Sequence, residues 1–220
     1  MTILLGPING VKPSNYKTIN ISRNSLEKYI NLHPKKLGPF NYIEPAKYVT
    51  KNFDIIEKDN EKYIITVVNN FENFWNGTKI YSKDIIEKSL QKNFFDRRDL
   101  YFKDKNTKYI GPIHDEIAYY IHSDIWMNDE IDSYQIKKFY FFYYSLLIID
   151  HPLFKELEIE YAKGINYYII GDEMTDVVEC NRALLEKNVN TTKYFGYEHV
   201  LAGLINQSIY EIFSLKENEE

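Results

Sequence analysis

Short apolar runs split by turn residues open the chain, and runs with a helical period follow. Residues 3–5 predict a strand closed by Gly6-Pro7, and 18–21 predict a second. Ser25 is placed to cap a short helix through Leu32, which must end before Pro34. Residues 53–56 and 62–68 predict a hairpin turning at Asp59-Asn60-Glu61, with the β-branched run 64–68 as its stronger arm. Residues 71–90 have the spacing of an amphipathic helix, although Gly77 inside it costs about 1 kcal/mol relative to Ala. Residues 91–115 read as a polar, irregular stretch, and 115–121 as a short helix. Residues 133–149 are apolar on nearly every side and predict a central buried helix. His151-Pro152 stops it and starts another, with Phe154, Leu157 and Tyr161 as the apolar stripe and Gly164 as the end. Residues 165–170 predict a strand ending in Gly171-Asp172-Glu173, and 174–195 show less order. A last amphipathic helix starts at Gly196 and turns Val200, Leu201, Leu204, Ile205, Ser208, Ile209 and Ile212 inward.

This order of elements predicts an α+β, mainly helical fold in a single domain over 1–215, with a disordered acidic tail at 216–220. No internal repeat or linker divides it. With 220 residues, 44% of them hydrophobic, the chain can bury a real core. Its 20 Tyr and 13 Phe occur with many Ile, Asn and Lys, a set favoured by AT-rich coding, so the tyrosines are not read as a binding platform. The net charge of −5 argues against broad, non-specific nucleic-acid binding, which needs a basic face. The single cysteine, Cys180, excludes an internal disulfide and a cysteine-based zinc site. The N-terminus lacks the basic region of a signal peptide. The longest apolar run, 139–149, falls short of the roughly 20 residues that span a bilayer. The expectation is a cytoplasmic protein without a membrane partner.

Candidate chemistry gathers on the 71–90 segment. On a helix, Glu72, Asn76 and Lys79 stack on one strip, while Phe74, Thr78, Tyr81 and Ile85 occupy an apolar face. Trp75 lies at the border between them. A carboxylate, an amide and an ammonium along the edge of a core suit a pocket wall. The same pattern also describes an ordinary amphipathic helix with a solvated rim. Asp172, Glu173 and Asp176 follow a buried strand, where ligand-facing residues commonly sit. With Glu72 they offer two separated carboxylates, the minimum for acid/base work at a glycosidic carbon. Arg23 and the Arg97-Arg98 pair are candidate anion contacts, or exposed cations in solvated segments. The five histidines show no metal-ligand spacing, and no dinucleotide, Walker, nucleophile-elbow or zincin motif is present.

Several short motifs, taken in order, resemble a known family. Gly38-Pro39-Phe40-Asn41 precedes the hairpin, and Phe71-Glu72-Asn73-Phe74-Trp75-Asn76-Gly77-Thr78-Lys79 follows it. Then come His151-Pro152-Leu153-Phe154, Ile169-Ile170-Gly171-Asp172, and Phe195-Gly196-Tyr197-Glu198-His199 before the final helix. The series resembles the NADAR (YbiA-like) superfamily, in particular its divergent large-virus and phage branches. Asn76-Gly77 stands where that family has Gln-Ala or Gln-Gly, and Tyr197-Glu198 stands where it has His-Gly. The resemblance implies a hydrolase of N-glycosidic bonds in ribosylated or ADP-ribosylated nucleotides and nucleobases, working without a cofactor. It implies Glu72 as the acid/base or water-activating group, Asp172 as the second carboxylate and Lys79 as an orienting contact. It also implies Trp75 and Asn76 beside the substrate, with Arg23 or Arg98 on phosphate. Two other readings stand beside it: an inactive descendant that binds a nucleotide or a protein, and an unrelated interaction domain. No role is assigned to Trp126, Tyr197 or Glu198.

Overall fold

A computed structural model of the chain describes residues 1–22, 29–34, 37, 56–58, 61–63, 71–77, 79–81, 85–86, 89–90, 92–104, 117–120, 131–172, 174–191 and 193–217. In chain order the strands are β1 (Ile3–Pro7), β2 (Lys17–Asn20), β3 (Ile30–Asn31), β4 (Ile56–Lys58) and β5 (Glu61–Tyr63). Helix α1 (Phe71–Gly77) precedes β6 (Lys79–Tyr81), β7 (Ile85–Ile86) and β8 (Ser89–Leu90). Then come α2 (Lys92–Lys103), β9 (Ile117–Tyr120), α3 (Ile131–Ile148) and α4 (Pro152–Ala162). The chain continues through β10 (Tyr167–Gly171), β11 (Val178–Glu179), α5 (Arg182–Val189), α6 (Tyr197–Ile205) and α7 (Ser208–Glu217). The fold is α+β. Chain contacts divide it into two units, one of Met1–Phe40 with Ser133–Glu220 and the other of Asn41–Asp132.

The first unit is built on a five-stranded mixed sheet in the order β11-β1-β10-β2-β3. β10 lies at its centre, parallel to β1 on one side and to β2 on the other, with β3 parallel to β2. β11 closes the opposite edge antiparallel to β1. Every residue of β10, Tyr-Tyr-Ile-Ile-Gly, is buried, as a central parallel strand covered on both faces requires. Helix α6 packs on β1, β10 and α4, and α7 packs on α5 and α6. From Glu198 to Ile205 every residue of α6 is buried. Helix α4 starts as the His151-Pro152 pair predicts. Pro152 fills the first turn, and His151 Nδ1 accepts the Leu153 N–H at 3.2 Å, a role that needs the neutral ring. Burial lowers the His151 pKa and favours that form. Gly164 ends the helix at φ +98°, a conformation that costs glycine little.

In the second unit, β4 and β5 form an antiparallel hairpin, β6 pairs with β9, and β7 pairs with β8. Phe74 of α1 meets Phe102 of α2 at 6.1 Å between ring centroids, and Asn73 Nδ2 donates to the Asp104 carbonyl at 3.1 Å.

Several expectations are corrected. The 71–90 helix stops at Gly77, and three short strands follow it. Gly77 sits where α1 meets α2, and a Cβ there would lie 2.7 Å from the Phe102 ring. Residues 92–103, expected to be irregular, are helical, with Arg98, Tyr101 and Phe102 buried. The short helix at 115–121 is instead strand β9, held by pairing to β6 some forty residues away in sequence. Helix α5 occupies part of the stretch read as less regular, with Asn181 as its N-cap. The final helix breaks at Gln207, whose φ of 60° divides α6 from α7. Residues 30–31, read as the end of a helix, form β3. The tail's Lys216 and Glu217 belong to α7, and 218–220 lie outside the described residues. The stronger hairpin arm, 64–68, lies outside them too.

Candidate functional site

Parallel strands end on one edge of the sheet. There Pro7 of β1 is level with Gly171 of β10, and Asn20 of β2 is level with Asn31 of β3. Open parallel sheets bind ligands at this carboxyl edge, because the strand ends and the loops after them leave backbone groups and side chains facing outward. Two asparagines shape the edge with Asx turns. Asn20 Oδ1 accepts from the Ser22 N–H at 3.0 Å, and Asn31 Oδ1 accepts from the His33 N–H at 2.9 Å.

The first turn of α6 faces this edge through Glu198. Its carboxyl group is packed so closely on Gly171 that a Cβ there would lie 2.7 Å from Glu198 Cδ and 2.9 Å from Oε2. Glu198 is only 2% exposed. Its Oε1 lies 3.1 Å from His199 Nδ1, and His199 Nε2 lies 3.1 Å from Asn188 Nδ2 at the end of α5. Oε2 makes no hydrogen bond to a described residue. Lys137 of α3, also buried, donates from Nζ to the carbonyls of Asn188 and Thr191 and so caps the carboxyl end of α5. Burial lowers the Lys137 pKa.

Aromatic rings enclose the pair. Phe195 stacks on His199 at 5.5 Å, Tyr194 meets it edge-on at 5.6 Å, and Tyr144 lies 4.7 Å from Tyr197. His33 packs edge-on against Tyr197 at 5.2 Å. Tyr144 is fully buried and donates its hydroxyl to the Leu32 carbonyl at 2.9 Å. Its pKa is raised, first by burial, then by Tyr197 and by the negative charge of Glu198. The buried Cys180 thiol is pushed up to about 12, first by burial, then by Glu198 and Glu179. A carboxylate, an imidazole and an amide therefore form a buried hydrogen-bonded line ending at the sheet edge. Such a group can take a proton from water or stabilise a developing cation.

The residues singled out in the sequence fall elsewhere. Glu72, Trp75 and Asn76 share helix α1 in the Asn41–Asp132 unit, and the Glu72 and Trp75 side chains lie outside the described residues. Asn76 is half-buried. Lys79 leaves that helix for β6, so the three-residue strip does not form; its side chain is also outside the described set. Arg98 is on α2 in the same unit, buried rather than in a solvated loop, with NH2 3.1 Å from Asp99 and its guanidinium 5.7 Å over Phe102. Asp172 belongs to the other unit, where it directly follows β10 and is exposed. Arg23 lies outside the described residues. Among the described residues no group of three His, Cys, Asp or Glu could hold a metal ion, and no helix is long and apolar enough to cross a membrane.

Glu198 and His199 carried a readable signal. Residue 198 shares a helix face with Leu201, Ala202 and Ile205, so a carboxylate stands where the period calls for an apolar side chain. No family model, curated protein or solved structure matches the chain.

Proposed function

We propose that this protein hydrolyses the N-glycosidic bond of a ribosylated or ADP-ribosylated nucleotide, with Glu198 as the working carboxylate. The observation that carries the reading is the buried Glu198 carboxyl group at the end of β10, tied through Oε1 to His199. In such a reaction Glu198 accepts a proton from the attacking water, whose oxygen bonds to the anomeric carbon. The carbon–nitrogen bond breaks with its electron pair left on the base, which takes a proton from solvent as it leaves, and Glu198 returns its own proton to solvent. Asp172, the next residue after Gly171, stands as the second carboxylate, exposed where a leaving group or solvent can reach it. Nucleotide binding at the carboxyl edge of parallel strands supports the substrate class by analogy of fold, and the NADAR-like motifs support the bond. On this reading the partner is a ribosylated small molecule or an ADP-ribosylated nucleic acid, met in the cytoplasm.

The near-complete burial of Glu198 favours one second reading, a nucleotide-binding protein without turnover. The test incubates the full chain with ADP-ribosylated DNA, ADP-ribosylated nucleosides and ribosylaminopyrimidine phosphates. Released ADP-ribose or ribose phosphate is measured by mass spectrometry. Glu198→Gln is expected to slow release by about 10²–10⁴-fold, the usual worth of a general acid or base, and Glu72→Gln to leave it standing. Loss in Glu72→Gln alone returns the site to α1. A thermal shift with ADP-ribose but no release by the unaltered protein selects the second reading.

A further inference from the structure

We infer that Asn188 is a positioning residue that locks His199 as the Nδ1–H imidazole, so that His199 holds one oxygen of Glu198 and leaves the other facing the strand ends. Two contacts carry this. His199 Nδ1 lies 3.1 Å from Glu198 Oε1, and a carboxylate oxygen at that distance needs a hydrogen between the two atoms. His199 Nε2 lies 3.1 Å from Asn188 Nδ2, a donor that needs a bare ring nitrogen opposite it. The Nδ1–H tautomer satisfies both. The Nε2–H tautomer fails at both, setting a lone pair against Glu198 and one N–H against another. Its only gain is the Gly196 N–H, 3.3 Å from Nδ1. The Asn188 backbone is anchored beside the ring, because its main-chain carbonyl accepts from the buried Lys137. The lock also sets direction. A Cβ built on Gly196 would lie 2.9 Å from Oε1, and one built on Gly171 would lie 2.9 Å from Oε2. Oε1 is therefore the inner, anchored oxygen, and Oε2 is the one at the sheet edge. That Oε2 meets a substrate rests on the function proposed above; the tautomer does not.

The full chain, labelled with ¹⁵N-histidine, is studied at pH 8 by long-range proton–nitrogen correlation, with His199→Gln identifying the His199 signals among the five histidines. The expected result is a protonated Nδ1 and a bare, pyridine-like Nε2. In Asn188→Asp the new carboxylate accepts from the ring, so Nε2 is expected to become protonated, with at least tenfold slower turnover. A protonated Nε2 in the unaltered protein, or an unchanged ring in Asn188→Asp, overturns the inference. If Asn188→Asp does not fold, the unaltered protein's tautomer decides alone. The expected tautomer without any turnover would refute the hydrolase and leave the lock in place.

Discussion

Gly171→Ala adds one methyl group at the most crowded point of the site. The new carbon would lie 2.7 Å from Glu198 Cδ and 2.9 Å from both Cγ and Oε2. β10 is central and paired on both sides, so the strand cannot shift away from the clash. The side chain that must yield is Glu198, and in yielding it gives up the Oε1 contact with His199. Overpacking costs about 1–3 kcal/mol, and a hydrogen bond to a charged group adds about 1.5–3 kcal/mol. A displaced carboxylate that reaches water recovers part of this, so the expected loss is about 2–4 kcal/mol. The lone thiol of Cys180 provides the assay. It is buried in the same unit, and its raised pKa keeps it unreactive until that unit opens. Where opening and closing are fast relative to labelling, the rate of thiol modification follows the opening equilibrium. At about 1.4 kcal/mol per tenfold, Gly171→Ala should label about 30- to 800-fold faster than the unaltered chain. In a Glu198→Ala background the methyl group enters vacated space, and the same substitution should change labelling by less than about threefold. Equal acceleration in both backgrounds would refute the claim that Glu198 fills the space beside Gly171.

Alkali should weaken the fold before acid does at this core. The Cys180 thiol, ordinarily near 9.0, is held up to about 12, so between these values the unfolded chain has lost a proton that the folded chain keeps. Stability should fall as pH rises through this window, with Cys180 accounting for about 1.4 kcal/mol by pH 10. From urea titrations at pH 8 and 10, the unfolding free energy of the unaltered chain should fall by that amount relative to that of Cys180→Ala. Lys137→Met removes the cation that caps α5 through the Asn188 and Thr191 carbonyls and should cost about 1–3 kcal/mol by urea titration. At the opposite end of the sheet, Lys17 donates to both oxygens of Glu160, at 2.8 and 2.6 Å, and Tyr167 donates to Oε2 at 2.8 Å. These hydrogen bonds, Lys17's first, lower the Glu160 pKa. The stability they contribute is present above 4.5 and lost as pH falls through the lowered value. Glu160→Gln should therefore destabilise at pH 7 and converge on the unaltered chain near pH 3 in thermal melts.

What the sequence discloses about the fold depends on how local each determinant is. β1 and β10 are legible because each carries an apolar run closed by turn residues, β2 through the weak alternation of 18–21, and α4 because the His151-Pro152 start is a local signal. β9 is not, since Ile117-Ala-Tyr-Tyr suits either state until β6 pairs with it. Helix α2 was hidden by its own buried face. That face includes Arg98 along with Tyr101 and Phe102, so counting apolar residues alone misses the period. The 71–90 segment fails for a different reason. Its helical period continues past Gly77, but the contact of Gly77 with the Phe102 ring belongs to tertiary structure. Asn181 before α5 is a local cap signal, with its Oδ1 accepting the Leu184 N–H at 3.0 Å.

The proposed Glu198 site carries a different sequence signal from the polar strip expected on the 71–90 segment. Glu72, Asn76 and Lys79 drew attention because they are polar residues at helical spacing, which is also what any solvated rim looks like. Glu198 and His199 sit instead inside the apolar pattern of α6, where burying a carboxylate costs several kcal/mol unless partners offset it. A sequence that keeps a charged residue on a core face therefore announces either a partner or a function. Here His199 supplies the partner for one oxygen, and Asn188, eleven residues earlier, holds His199 in turn. The second oxygen makes no hydrogen bond to a described residue, so its partner is water or a ligand. An apolar replacement of similar shape makes the distinction measurable. If Glu198 is structural, replacing the pair together, Glu198→Leu with His199→Phe, should destabilise the first unit, because the hydrogen bonds that hold it are lost. If Glu198 is kept for a ligand, Glu198→Leu paired with His199→Phe should match or exceed the unaltered chain in stability while abolishing binding of ADP-ribose, since buried ionic groups are often worth less than the apolar side chains that can replace them.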